Sequence, residues 1–201
     1  ELLFETCLEL HRRGIDKDFV TGNNDADGPF LLHWVQRRFP DKAAHIEAKL
    51  RQWGGNASGV NVANIDNLGI VHPDTMWWHV PLGNVRQRAF GEIWNDLSNP
   101  LLAGLKQHPR KLEGRCGACK YLDICNGSSR VRAEQVTGNP WAEDPACYLD
   151  DDEIGVSAAD YGTERVVTHS SSPVRTGAAP SVTTAATATP WPAIARASAC
   201  T

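Results

Sequence analysis

Four cysteines within a stretch of 32 residues constrain this chain more than any other feature of its sequence. They are Cys116, Cys119, Cys125 and Cys147, spaced Cys-x2-Cys-x5-Cys-x21-Cys. Two thiolates separated by two residues can face one metal ion or one corner of a cluster, and Gly117 eases the turn between them. No histidine lies between the first and the last cysteine. Four thiolates suit either a 4Fe–4S cluster or a structural zinc ion.

The spacing favours the cluster, although it leaves the zinc ion open. Zinc ribbons commonly use two Cys-x2-Cys pairs, and this chain has only one. No export signal opens the sequence, so clustered cysteines are interpreted as metal ligands before disulfides or free thiols are considered. The other two cysteines, Cys7 and Cys200, stand near the ends of the chain. Cys7 shares a helical face with Leu3 and Leu10, which predicts a core residue and not a ligand.

Charge and hydropathy exclude two classes of partner. The net charge of −4 and the pI near 6.0 do not suggest a nucleic-acid binder, which usually shows a basic excess. No apolar run approaches the roughly 18 residues that a membrane span needs. We therefore expect a cytoplasmic protein with no nucleic-acid and no membrane partner. The sequence lacks an initiator methionine, from which we expect it to begin inside a longer protein.

Hydrophobic periodicity and capping residues predict a mixed fold. The patterns predict helices over 1–13, 29–39, 41–53, 90–97, from Asn99 onward and 129–136, and short strands over 60–66 and 70–72. Asp41 is expected to cap the third helix, after Pro40 has separated it from the second. Residues 156–201 are rich in Ala, Thr, Ser and Pro, cannot bury much apolar area, and are predicted to be disordered.

Several motifs resemble a known family. The Gly83-Asn84-Val85 turn, Phe90-Gly-Glu-Ile-Trp94, Cys116-Gly-Ala-Cys119-Lys-Tyr-Leu-Asp-Ile-Cys125 and Asp144-Pro-Ala-Cys147 resemble the SPASM-type C-terminal domain of radical SAM enzymes. More narrowly, four further stretches are similar to the NirJ family of radical SAM proteins in heme d1 biosynthesis: Gly54-Gly-Asn-Ala-Ser-Gly59, Ala63-Asn-Ile-Asp66, His72-Pro-Asp74 and Asn139-Pro-Trp-Ala-Glu-Asp144. The resemblance covers about residues 1–155.

The resemblance implies an α/β fold in three parts. Residues 1–60 would be the terminal elements of a partial TIM barrel, and 61–155 a small, irregular α+β iron–sulfur domain of the SPASM type. Residues 156–201 would be the disordered tail. A peptide-modifying radical SAM/SPASM protein would carry the same four cysteines and stays an alternative.

The resemblance also implies cofactors and partners. The four cysteines would hold one auxiliary 4Fe–4S cluster, and the full-length enzyme would use S-adenosyl-L-methionine. The substrate would be a siroheme-derived tetrapyrrole that loses propionate side chains on the way to heme d1, the cofactor of a denitrification nitrite reductase. An electron donor such as a ferredoxin or flavodoxin would be needed. Gly54, Gly55 and Gly59 would lie near S-adenosylmethionine, or else form a plain connection from helix to strand.

One departure bears on activity. Radical SAM enzymes cleave S-adenosylmethionine on a cluster held by Cys-x3-Cys-x2-Cys, and that triplet does not occur in this sequence. The chain alone is therefore expected to be inactive, and its catalytic residues stay unknown. Six basic residues around the cysteines could offset the charge of a cluster or pair with substrate carboxylates, or could form a solvated basic face: Arg110, Lys111, Arg115, Lys120, Arg130 and Arg132.

Overall fold

Short helices and one small sheet make up the fold, and a computed structural model describes residues 1–22 and 24–161. Ten α-helices occur in the described residues: α1 Leu2–Arg12, α2 Asp27–Arg38, α3 Ala43–Trp53, α4 Phe90–Asn95, α5 Pro100–Leu105, α6 Gly114–Ala118, α7 Leu122–Cys125, α8 Arg130–Thr137, α9 Asp151–Ile154 and α10 Ala158–Tyr161. Two 3-10 helices, Pro40–Lys42 and Thr75–Trp77, accompany them.

The sheet has three antiparallel strands in the order β1, β2, β3. They span Asn64–Ile65, Ile70–His72 and Gly83–Asn84. Asn64 pairs with His72 across the first ladder, and Ile70 pairs with Asn84 across the second. His72 is a structural residue here, since its Nδ1 lies 2.9 Å from the carbonyl oxygen of Val80. The sequence correctly predicted the strand at 70–72.

Local signals explain where several helices begin and end. Asn99 caps α5 by accepting hydrogen bonds from the backbone N–H groups of Leu101 and Leu102. Ser129 caps α8 in the same way. The prediction that Asp41 caps the third helix is wrong. Residues 40–42 form a 3-10 helix, α3 starts after Lys42, and no side chain caps it.

The main core joins the second helix to the cysteine segment. Leu32 of α2 is buried with Ile124 of α7 and with Ile154 of α9, and Cys119 and Cys147 pack against this cluster. Residues 1–161 belong to one compact unit. The division of the chain at residue 60 stays a prediction.

The barrel interpretation of residues 1–60 finds no counterpart in the structure. A fragment of such a barrel would alternate parallel strands with helices. In the described part of this range the chain forms α1, α2, a 3-10 helix and α3, and no strand. The observed fold is therefore helical with a small antiparallel sheet.

The predicted disordered tail begins too early. Val156 is 6% exposed and belongs to the main core, and residues Ala158–Tyr161 form α10. The rest of the predicted tail, 162–201, lies outside the described residues, as does Cys200. Of the residues described, none forms a helix long and apolar enough to cross a membrane.

Candidate metal centre

The fold brings the four clustered cysteines to the wall of one cavity. Cys116 lies in α6, Cys119 follows that helix, and Cys125 ends α7. Cys147 comes from the loop before α9 and completes the set. The remaining lining is mostly apolar, with four polar residues, Arg115, Ser128, Glu143 and Asp144. Cys7 is half-buried on α1, a helix with no buried residue, and does not line this cavity, so the prediction that it belongs to the core is not met.

Backbone N–H groups point at two of the sulfur atoms. The N–H of Tyr121 donates to Sγ of Cys119 at 3.3 Å, and that of Asp144 donates to Sγ of Cys116 at 3.3 Å. Such bonds favour the charged thiolate over the thiol. The loop geometry thus prepares two of the four sulfurs for the form in which cysteine binds metal.

Burial opposes the formation of thiolates and keeps the free thiols protonated. It raises the pKa of the Cys116 thiol to about 11, and it raises the pKa of Cys125 well above its ordinary value. Burial likewise raises the pKa values of Cys119 and Cys147. Four buried thiolates would repel one another, so a metal centre must supply the positive charge that displaces their protons.

Buried guanidinium groups surround the cavity. Arg110 and Arg130 are each 1% exposed, and Arg115 is 6% exposed. Arg115 donates from Nε to Oδ1 of Asp151 at 2.6 Å and from Nη2 to the Leu149 carbonyl at 2.6 Å. The alternative of a solvated basic face is wrong for these three residues, although Lys111 and Lys120 are exposed.

Two of the arginines act on the sulfurs themselves. The positive charge of Arg115 favours the thiolate of Cys147, and that of Arg130 favours the thiolate of Cys116. Nε of Arg130 is also buried without a hydrogen-bond partner in the described part of the chain. A buried donor without an acceptor is costly, and a negatively charged group in the cavity would lower that cost. The donors and charges therefore fit an anionic thiolate-bound centre.

The described residues contain no ready-made site for a single metal ion. Within residues 1–22 and 24–161, no group of three His, Cys, Asp or Glu side chains is placed to hold a metal ion. A tetrahedral zinc site requires four thiolates at about 2.3 Å from a common centre. The cysteines instead line the cavity from separate elements.

The predicted glycine site has a packing explanation. Gly55 has φ +72°, and a Cβ there would lie 2.3 Å from the carbonyl carbon of Cys125. Gly59 has φ +73°, and a Cβ there would lie 2.8 Å from the Cβ of Leu105. Close approach to the cysteine loop and to α5 thus accounts for these two glycines. Their assignment with Gly54 to S-adenosylmethionine stays a prediction.

Contacts between distant segments are what sequence reasoning missed. Asp25 is the main example: its backbone N–H donates to Oγ of Ser128 at 3.1 Å, and burial raises its pKa. Arg110 is another, since it donates to the carbonyl oxygens of Ser58 and Asn126. Asp25 and Ser128 are 103 residues apart in sequence, so no local signal could have placed Asp25 beside the cysteine loop. Arg110 was singled out only as one of the basic residues around the cysteines, and its partner Ser58 lies far away in sequence.

Comparison with known proteins identifies relatives of the chain. It is 50% identical over 159 residues to the pre-heme d1 synthase of Dinoroseobacter shibae, covering 78% of this chain and 39% of that protein. It is 44% identical over 158 residues to the Fe-coproporphyrin III synthase of Methanosarcina barkeri, covering 77% and 40%. An AdoMet-dependent heme synthase of the same organism is 33% identical over 93 residues, or 46% of this chain and 25% of that protein.

The match is partial for every one of these proteins. The chain spans about two fifths of the length of the first two relatives. No family model matches the chain, and no solved structure matches it either.

Proposed function

Since this chain is a homologue of the heme-synthesising proteins that include pre-heme d1 synthase, we propose that it is the auxiliary-cluster part of a radical SAM enzyme of heme d1 biosynthesis. Cys116, Cys119, Cys125 and Cys147 would each hold one iron of a single 4Fe–4S cluster. The complete enzyme would act on propionate side chains of a siroheme-derived tetrapyrrole. S-adenosylmethionine and an electron donor of the ferredoxin or flavodoxin type would serve that enzyme.

One observation carries the proposal. Four cysteines from α6, α7 and the loop before α9 line one cavity, next to backbone donors and buried arginines. A cluster is larger than a single ion, so its ligands can come from separate elements, as these do. The names of the relatives support the tetrapyrrole, and one of them is described as AdoMet-dependent.

The chain's own residues would bind and shield the cluster. The four thiolates would hold it, and the N–H groups of Tyr121 and Asp144 would stabilise two of them. Arg115 would balance negative charge beside Cys147. Leu149 and Ile154 would keep water from the cavity, since they line it and are buried. The cluster itself would supply electron transfer or a firm support for the substrate.

Metal analysis tests the proposal. We expect the anaerobically reconstituted chain to bind about four irons, with a broad absorption band in the visible blue. Changing Cys119 or Cys125 to Ala should abolish iron binding and loosen residues 110–150, because a metal centre supplies folding free energy to such loop-rich segments. Cys7→Ala is the matched control and should leave the iron content unchanged.

Two results would contradict the assignment. One zinc and no iron per chain would identify a zinc-stabilised binding module held by the same four cysteines. Loss of iron in Cys7→Ala would show that the ligand set is different.

A further inference from the structure

A second cavity lies on the outer side of the cysteine loop. Its volume is about 280 Å³, and it opens between the end of α3 and the turn after α5. Trp53, Gly54, Lys106 and His108 are among the residues that line it, together with Asn126, which follows the proposed cluster ligand Cys125 in the chain. We call it the Trp53 pocket.

The Trp53 pocket carries positive charge that no carboxylate of the described chain neutralises. Nζ of Lys106 donates to the carbonyl oxygen of Trp94 at 2.6 Å and lies 4.6 Å from the centre of the Trp94 ring. No described ion pair involves Lys106, and no Asp or Glu lines the pocket. Lys106 is half-buried, and burial lowers the pKa of its ammonium group. An anion in the pocket would complete its coordination.

Arg51 also lines the pocket but is not available to bind an anion there. Its guanidinium pairs with Glu47 at 2.7 Å and also with Asp123, so its charge is already matched. Lys106 is left as the cation available to a ligand, with the exposed His108 ring beside it. The two come from the same short segment after α5 and reach the pocket together.

A buried amide adds a neutral donor. Asn126 is 1% exposed, and its Oδ1 accepts the backbone N–H of Arg110 at 3.1 Å. That bond fixes the orientation of the amide and directs Nδ2 elsewhere. No described hydrogen bond uses Nδ2 as its donor, so this N–H group is available to a ligand in the pocket. A carboxylate oxygen in the pocket could accept from both Nδ2 and Lys106.

An exposed aromatic ring borders the pocket. Trp53 is 74% exposed at the end of α3. A large aromatic side chain so exposed offers a face on which a planar conjugated ligand can stack. The pocket itself is too small for a whole tetrapyrrole but has room for one carboxylate-bearing side chain.

From these features we propose that the Trp53 pocket binds a carboxylate side chain of a tetrapyrrole while the ring system stacks on Trp53. The inference rests on the proposed function, since it assigns a binding site for the same substrate class. Lys106, His108 and Nδ2 of Asn126 contact the carboxylate, and the macrocycle extends outward over the indole. Because Asn126 follows Cys125 in the chain, the bound ring lies close to the cluster loop.

Titration with iron coproporphyrin III tests the site on the full reconstituted chain, followed by the shift of the main porphyrin absorption band. We expect saturable binding that weakens as salt is added. Lys106→Gln should raise the Kd about ten-fold, which corresponds to about 1.4 kcal/mol, and should flatten the salt dependence. Lys106→Arg should restore most of the affinity, which shows that charge and not local packing is responsible.

Matched controls separate the pocket from non-specific adsorption. Lys49 is an exposed lysine of α3 that does not line the pocket, and Lys49→Gln should not change the Kd. Trp78 is 73% exposed, nearly the same as Trp53. Trp53→Ala should weaken binding several-fold, and Trp78→Ala should not.

Three results would overturn the inference. They are an absence of saturable binding, equal Kd values for Lys106→Gln and Lys49→Gln, and displacement of the porphyrin by S-adenosylmethionine, which would assign the pocket to that cofactor. Iron content is measured on the same samples before the porphyrin is added. Four irons without porphyrin binding would overturn the pocket alone, whereas a chain without iron would overturn the proposed cluster.

Discussion

Arg115 is a buried side chain that can serve both the fold and the proposed cluster. It joins α6 to the segment after Cys147 through bonds to Asp151 and to the Leu149 carbonyl, and its charge favours the thiolate of Cys147. An iron–sulfur cluster with four thiolate ligands carries net negative charge. A guanidinium beside it should therefore favour the reduced state, since reduction adds one more negative charge.

We expect Arg115→Gln to lower both stability and reduction potential. Losing the bonds of the buried guanidinium to Asp151 and to the Leu149 carbonyl should cost about 2 kcal/mol in unfolding free energy, measured by denaturant titration. The potential should become more negative, measured by spectroscopic redox titration. Arg115→Lys should recover part of the potential but little of the stability, since an ammonium group cannot replace the two directed bonds.

Arg88→Gln is the control for the Arg115 variants, since it also removes an arginine from an ion pair. Arg88 forms an exposed pair with Asp96 at 3.0 Å, and such a pair contributes about 0.2–1 kcal/mol. An unchanged potential in Arg115→Gln would show that the residue serves the fold alone.

At the scale of elements, the junction between α3 and the cysteine loop depends on Gly55. Its positive φ excludes most side chains, and the backbone of Cys125 occupies the place of a Cβ. Gly55→Ala should cost about 3 kcal/mol, combining backbone strain of about 1–2 kcal/mol with overpacking of similar size. It should also reduce the iron content, because the clash displaces Cys125.

Gly138 separates these two contributions. It has φ +78° after α8, and a Cβ there would meet no atom within 4 Å. Gly138→Ala should cost about 1–2 kcal/mol through strain alone and should keep all four irons. If thermal unfolding showed equal losses for both variants, the close approach at Gly55 would not matter.

Local patterns predicted the elements better than their arrangement. The helix that starts at Asn99 and the strand at 70–72 are encoded within a few residues, and the structure confirms them. The barrel interpretation of 1–60 depended on family resemblance, and helix periodicity alone cannot say what a helix packs against. The shared cavity of the cysteines was expected from their spacing, but the buried arginines were not, because their partners lie far away in sequence.

The predicted start of the tail shows the same limit of local sequence patterns. Val156 is buried because it follows α9 directly and reaches the main core, which composition averaged over 46 residues cannot reveal. A chain ending after residue 161 should therefore keep its four irons and its melting temperature. A chain ending at 153 should lose several degrees, because it lacks the buried side chains of Ile154 and Val156.

The number of cysteines in the whole chain limits the chemistry that a cluster could perform. Reductive cleavage of S-adenosylmethionine needs an iron with an open coordination site, which Cys-x3-Cys-x2-Cys provides by supplying three thiolates for four irons. The cluster proposed here has four cysteines at one cavity, one for each iron, so every site is closed. Incubation of the reconstituted chain with dithionite and S-adenosylmethionine should therefore yield no 5′-deoxyadenosine above a protein-free control. Cys147→Ala would leave one iron without a thiolate ligand, so this variant tests whether an open coordination site permits the cleavage. A yield from the unaltered chain would mean that one of the four cysteines is not a ligand.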